Sequence, residues 1–196
     1  MPPSPADAPL TRDRILAAAE AVIRRFGPAK ATVVDVARAL GVSHTAVYRH
    51  VPNKAELRDL VVGRWVEATM PPLRAIAALP GPAPQRLRQL FDALVASKRR
   101  RAAEDPELFA AYGTLAADAQ SVVAAHVAEL VGLAAEVIRA GVTEGSFRPV
   151  DPVAAGRAVL VATCRYHHPA HACEWCGPDP DAGYEDVWQL LLDGLR

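Results

Sequence analysis

Apolar residues recur at helical spacing over almost the whole chain, and nowhere do apolar and polar residues alternate as a half-buried strand requires. The composition fits that pattern. With 39 Ala among 196 residues and 6 % aromatics, the chain suits thin, closely packed helices. Hydrophobic residues at 51 % and charged residues at 22 % exclude wholesale disorder. The length allows a sizeable core without disulfides or metals. The 17 Pro lie mostly at the N-terminus and between apolar stretches, where they punctuate structure. The expectation is an all-α chain of about nine helices.

The boundaries follow from caps and breakers. Thr11 caps a first helix with the apolar face Ile15, Ala19, Val22, Ile23 and Phe26, ended by Gly27-Pro28. Thr32 caps a second, with Asp35 as a shortened capping box and Val33, Val36, Ala37 and Leu40 as its buried stripe. Gly41 turns the chain, Ser43 caps a short third helix to about His50, and Pro52-Asn53 breaks it. A fourth helix is expected from about Lys54 to Met70. Pro71-Pro72 and the stretch 80–84 then read as the hinge to a larger unit. Further helices are expected over about 85–103, from Pro106, over about 118–142, from Pro152 to about Tyr166, and from about Tyr184 to Arg196. The division is a flexible arm over 1–10, a front domain over 11–56 and a back domain over 57–196.

Net charge is zero, but residues 1–60 hold nine Lys or Arg against six Asp or Glu, while the rest hold thirteen against sixteen. A basic front and an acidic back point to nucleic acid at one end. The three Cys are odd in number and all follow residue 163, which makes no disulfide framework. No secretory signal and no window of about 18 apolar residues is read, so a cytoplasmic protein without a membrane partner is expected. No Gly-rich phosphate loop, nucleophile elbow or paired-carboxylate motif is present, and the expectation is not an enzyme.

Residues 32–51, TVVDVARALGVSHTAVYRHV, have the layout of a helix-turn-helix. Gly41 allows the turn, Ala37 allows close approach, and Val42 and Val47 fill the angle between the helices. His44, Thr45, Tyr48 and Arg49 then face outward as hydrogen-bonding types on a helix without an acidic side chain. Such a helix suits the major groove.

From Ile15 to Leu57 the sequence resembles the DNA-binding domain of TetR-family transcriptional regulators. The resemblance rests on Ile15-Leu16-Ala17-Ala18-Ala19, Phe26-Gly27, Thr32, Val36-Ala37, Leu40-Gly41-Val42-Ser43, Val47-Tyr48-Arg49-His50-Val51 and Asn53-Lys54-Ala55-Glu56-Leu57. It implies that His44 and Thr45 read base edges, that Tyr48 meets a phosphate and a thymine methyl, and that Thr32, His50 and Lys54 hold phosphates. Val34 stands where some members place a base-reading Arg, so that readout is lost or hydrophobic here. Ser43 is weighed as a cap rather than a base contact.

The resemblance further implies a homodimeric repressor on an inverted-repeat, double-stranded DNA operator, released by a small-molecule effector. Its dimer interface is expected from Val153, Ala154, Ala158 and Val161 with Trp188, Leu191, Leu192 and Leu195; packing inside one subunit is the alternative. Trp65, Phe91, Phe109, Tyr112, His126 and Cys164 are candidate effector liners; an aromatic at helical spacing is more often core than pocket, and His126 is likewise read as a satisfied core histidine. The run Lys98-Arg99-Arg100-Arg101 reads as a solvated helix end.

A separate reading concerns the segment from Cys164 to Cys176, which holds three Cys and three of the six His. No cofactor is required by the regulator reading. The alternative is a metal- or thiol-redox-responsive protein, with zinc or copper on Cys164, His168, His171, Cys173 and Cys176. Cys164 and His168 share a face if the helix persists, and Cys173 and Cys176 have C-x-x-C spacing.

Overall fold

The computed structural model describes residues 9–196, so most of the arm expected over residues 1–10 lies outside the described residues. Among them are eleven α-helices and one 3-10 helix, with no strand. The all-α expectation holds, and the helix count rises for two physical reasons. Pro71 and Pro72 do not form a hinge: they occupy the first turn of a helix, Met70–Ala78, where a missing N–H costs nothing. The helix expected from Pro152 to about Tyr166 breaks at Thr163, giving Pro152–Ala162, Cys164–His167 and then the 3-10 helix Pro169–Cys176.

The chain divides into two compact units. The first contains the described residues up to Val66 and the segment Asp105–Val123. Its helices are α1 (Arg12–Phe26), α2 (Val33–Leu40), α3 (His44–Tyr48), most of α4 (Lys54–Glu67) and α7 (Pro106–Asp118). Ile15, Val36, Val47, Val51 and Val62 are fully enclosed and form its core. Phe26, expected on the buried face of α1, stands 47 % exposed beneath the guanidinium of Arg25. At the end of α1, Gly27 leaves the helical conformation and turns the chain away, so the last side chain of the stripe has nothing to pack against. The segment around α7 belongs to this unit: α7 packs on α1, Arg24 pairs with Asp105, and Trp65 stacks on Tyr112 with ring centroids 3.6 Å apart.

The second unit contains residues 67–104 and 124–196. It is built from α5 (Met70–Ala78), α6 (Ala83–Glu104), most of α8 (Gln120–Glu144), α9 (Pro152–Ala162), α10 (Cys164–His167), the 3-10 helix and α11 (Tyr184–Leu195). Leu87, Phe91 and Leu94 of α6 meet Leu130, Ala134 and Ile138 of α8, with Val159, Leu160, Trp188 and Leu192 closing the core. Gly156 is required by proximity. A β-carbon there would lie 3.0 Å from the Val131 carbonyl oxygen and 3.2 Å from Ala134 Cβ, so α9 can approach α8 only without one.

The expectation of no sufficiently apolar window is corrected at α8. This 25-residue helix has a mean hydropathy of 1.7 in its most apolar window and is long and apolar enough to cross a membrane by length and composition. Its buried stripe from Leu130 to Ile138 is packed into the core of the second unit, which accounts for the same composition.

Candidate nucleic-acid interface

The site begins with two caps and a turn. The Thr32 hydroxyl accepts from the Asp35 N–H at 3.2 Å and donates to the Asp35 carboxylate, while Arg38 pairs with Asp35 at 2.8 Å. The Thr32 hydrogen bond, followed by the nearby Arg38 charge, holds the Asp35 carboxyl below the usual carboxylate range. At the other end of α2, Gly41 has a φ of 68°, and the Val42 N–H reaches back to the Ala37 carbonyl. That bond satisfies a carbonyl the helix would leave open and fixes the angle at which α3 departs. The Ser43 hydroxyl accepts from the Ala46 N–H at 3.2 Å, so its side chain is committed to capping.

These constraints aim α3. Val47 is fully buried, and its burial sets the rotation of the helix about its axis. Ser43, His44, Thr45, Tyr48 and Arg49 are then exposed, and His50 is half-buried. The His44 and Tyr48 rings meet edge to face at 6.3 Å, one turn apart on the outward side. Thr32 and Val34 are exposed at the start of α2, Val34 by 45 %. Asn53 caps α4 through the Glu56 N–H at 2.9 Å, and Lys54 follows it with its ammonium donating to the Ala29 carbonyl at 2.9 Å. The nine candidate residues therefore lie on the N-terminal turn of α2, on α3 with its flanking residues, and at the start of α4, all in the first unit. Hydroxyl, imidazole, guanidinium and ammonium groups at such positions can donate to phosphates and base edges.

The remaining candidates fare differently. Of the expected effector liners, Trp65, Phe109 and Tyr112 form one buried aromatic cluster in the first unit. Phe91 is enclosed in the core of the second unit against Trp188, and His126 and Cys164 belong to that unit as well. The six do not assemble into one pocket within either unit. His126 is buried, yet both its ring nitrogens lack a hydrogen-bond partner, which corrects the reading of a satisfied core histidine. In the basic run Arg100 is exposed beside Glu104, but the first two members are not solvated. Lys98 is 5 % exposed, and Arg99 pairs with Asp181 at 2.7 Å and with the Pro180 carbonyl.

On the expected dimer face, Val153, Ala154, Ala158 and Val161 of α9 are exposed, Val161 by 64 %, and Leu191 is half-buried. Trp188, Leu192 and Leu195 are corrected to core: all three are buried within their own chain, where α11 turns its densest stripe inward. The neighbouring Leu190, missed by the sequence reading, is 74 % exposed. With α9 it borders an apolar groove lined by Val150, Ala154, Ala158, Leu190 and Leu191.

The Cys and His residues after 163 do not form a metal set. Among the described residues no group of three or more His, Cys, Asp or Glu is placed to hold a metal ion. The helix carrying Cys164 ends at His167, and the His168 ring, at its extended C-cap position, accepts from the Ala170 N–H at 3.2 Å. His171 lies 2.7 Å from Glu174, which also takes Arg165, and the Trp175 indole donates to the Arg165 carbonyl. Cys173 and Cys176 are exposed free thiols, and Cys164 is half-buried.

Comparison with known proteins agrees with this layout. Residues 15–61 match the family model described as bacterial regulatory proteins, tetR family. Residues 83–188 match the tetracyclin repressor-like C-terminal domain. A search of curated proteins gives no match. Among solved structures, SmeT, the repressor of the Stenotrophomonas maltophilia multidrug efflux pump SmeDEF, is similar at 21 % identity, covering 98 % of this chain and 92 % of that one with a TM-score of 0.72. The fatty acid degradation regulator FadR from Bacillus halodurans is similar at 22 % identity, covering 95 % and 100 % with a TM-score of 0.64. A TetR/AcrR-family transcriptional regulator from Thermobifida fusca is similar at 24 % identity, covering 94 % and 98 % with a TM-score of 0.65.

Proposed function

The chain belongs to the TetR family of transcriptional regulators, and on that premise we propose that it is a homodimeric repressor whose α3 reads one half of an inverted-repeat operator. The observation that carries this reading is the outward face of α3. His44, Thr45, Tyr48 and Arg49 are exposed together because Val47 is buried beneath them and Ser43 caps the helix. His44 and Thr45 meet base edges, Tyr48 meets a phosphate and a thymine methyl, and Thr32, His50 and Lys54 hold phosphates. Val34 adds at most an apolar contact, and Ser43 acts as the cap. DNA reading belongs to residues 11–56, and dimerisation and effector binding to residues 57–196.

A short recognition helix makes few contacts, and pairing two of them on a duplex multiplies both affinity and specificity. The exposed apolar side chains of α9 and α11 supply the pairing face, with a second copy as occupant. A small molecule bound in the back domain changes the spacing of the two recognition helices and releases the operator. The reading involves no catalysis and no metal, and it places the protein with DNA in the cytoplasm. Footprinting on DNA selected from random sequence tests it. An inverted repeat protected symmetrically is expected, and binding of a monomer to a single unsymmetrical site would overturn it.

A further inference from the structure

The buried stripes of three helices in the second unit end in polar groups. On α6 the stripe Leu87, Phe91 and Leu94 continues one turn later to Lys98. On α8, reading back from Ala134 and Leu130, the next position is His126. After Val159 of α9 the following turns bring Thr163 and then His167 on α10, which packs against α6. All four are buried: Lys98 at 5 %, His126 at 9 %, Thr163 at 0 % and His167 at 6 % exposure.

The groups act on one another electrostatically. Burial, followed by the Lys98 and His167 charges, pushes His126 down to about 3. Burial pushes His167 down to about 4, although the Leu160 carbonyl works in the opposite direction, and Lys98 falls to about 8. Near neutral pH the cluster is therefore two neutral imidazoles beside a largely protonated ammonium. The His167 Nε2 lies 3.3 Å from both the Thr163 hydroxyl and the Leu160 carbonyl. Neither nitrogen of His126 has a partner, and an imidazole stripped of water without one is costly. The carboxylate felt at His126, Glu67, is held by Arg74, which also takes Glu129.

We propose that Lys98 and His126, with His167 beside them, form the acid-recognising end of the effector site and bind the carboxylate of a small aliphatic acid. The His126 N–H donates one hydrogen bond that the protein itself does not use, and the Lys98 ammonium supplies the compensating charge. One turn inward along the same helices the side chains are Leu94, Leu130, Val159 and Leu160, so the rest of the ligand is apolar. The inference rests on the proposed release of the operator by an effector and names the chemistry of that effector.

The test uses the full chain and straight-chain carboxylates from butanoate to decanoate, each beside its neutral amide. Calorimetry measures binding, the imidazole nitrogen resonances of the six His report where it occurs, and gel shift reports operator affinity. A carboxylate of the series is expected to bind and to move the His126 resonances. Its amide should bind at least about tenfold more weakly, and Lys98→Met should lose at least about tenfold in carboxylate affinity while keeping operator binding. His126→Gln, which retains a donor, should keep part of the affinity. No binding across the series, equal binding of acid and amide, or unmoved His126 resonances overturns the proposal, and the last two are read on the unsubstituted protein. Carboxylate bound at His126 with the operator complex intact would keep the site and remove the release mechanism. Release by the amides alone would keep the mechanism and remove the site.

Discussion

His44 and Lys54 both lie in the DNA-reading unit, but they are expected to fail in different ways when replaced. In the proposed interface Lys54 would offer a phosphate a point charge that is blind to sequence. Its three N–H donors allow one to remain on the Ala29 carbonyl while another is shared. Lys54→Ala should weaken all duplexes nearly equally and lower the slope of log affinity against log salt by about 0.9 per subunit, measurable by fluorescence anisotropy over a salt series. His44 is exposed and makes an edge contact with Tyr48. His44→Ala should instead compress the difference between operator and mismatched operator by about 1–3 kcal/mol, with little change in the salt slope. The buried histidines make a different kind of prediction. His126 is faced by Lys98, His167 and Glu67, and His167 by the Leu160 carbonyl, Lys98, His168 and His171. Both have folded values below the ordinary 6.5, so the unfolded chain binds protons first as pH falls. Their contribution is complete above pH 6.5 and drains as pH drops toward 4 and 3, on the order of a few kcal/mol each. Thermal melts should show a Tm that falls between pH 7 and 5. That fall should be shallower in His126→Leu, and an unchanged slope would contradict the burial of an unpaired imidazole.

At the scale of elements, approach and capping decide more than propensity does. α9 lies against α8 because Gly156 has no side chain, and its β-carbon position faces backbone atoms of Val131 and Ala135, which cannot swing aside. Gly156→Val should destabilise the second unit by about 1–3 kcal/mol in denaturant melts. The caps of α2 and α3 were legible in the sequence because capping is local: Thr32 and Ser43 each bond an N–H three residues ahead. The start of α5 was not, since Pro-Pro reads equally as a break and as a first turn. The interruption at Thr163 was also hidden. There the hydroxyl folds back onto the Val159 carbonyl and meets the His167 ring, and both side chains are buried by the rest of the second unit, which the sequence does not show.

For the whole molecule, the expected homodimer depends on an apolar surface that the single chain leaves uncovered. Val161 at 64 % and Leu190 at 74 % exposure are its most prominent members. Val161→Glu together with Leu190→Glu should give a monomer by analytical ultracentrifugation with an unchanged circular dichroism spectrum. Operator affinity should drop by at least about a hundredfold, because one recognition helix alone is left to make base contacts. A dimer that survives both charges would place the interface elsewhere.

Residues 32–51 could be read as two short helices and a turn because every signal there acts within about five residues: a cap, a glycine with left-handed φ, and a small residue at a close approach. Helical class throughout followed from periodicity for the same reason. What periodicity cannot supply is the partner of a stripe. Trp188 and Leu191 belong to one apolar stripe of α11, and only the packed structure encloses the first and leaves the second half-buried beside the apolar groove. The same limit applies to Lys98, which reads as part of a solvated basic run until Leu94, one turn before it, is seen to face inward. Burial is a property of neighbours brought together from distant parts of the chain, so the sequence could name the helices and their caps, while the tertiary structure alone decided which charges and which apolar faces they would hide.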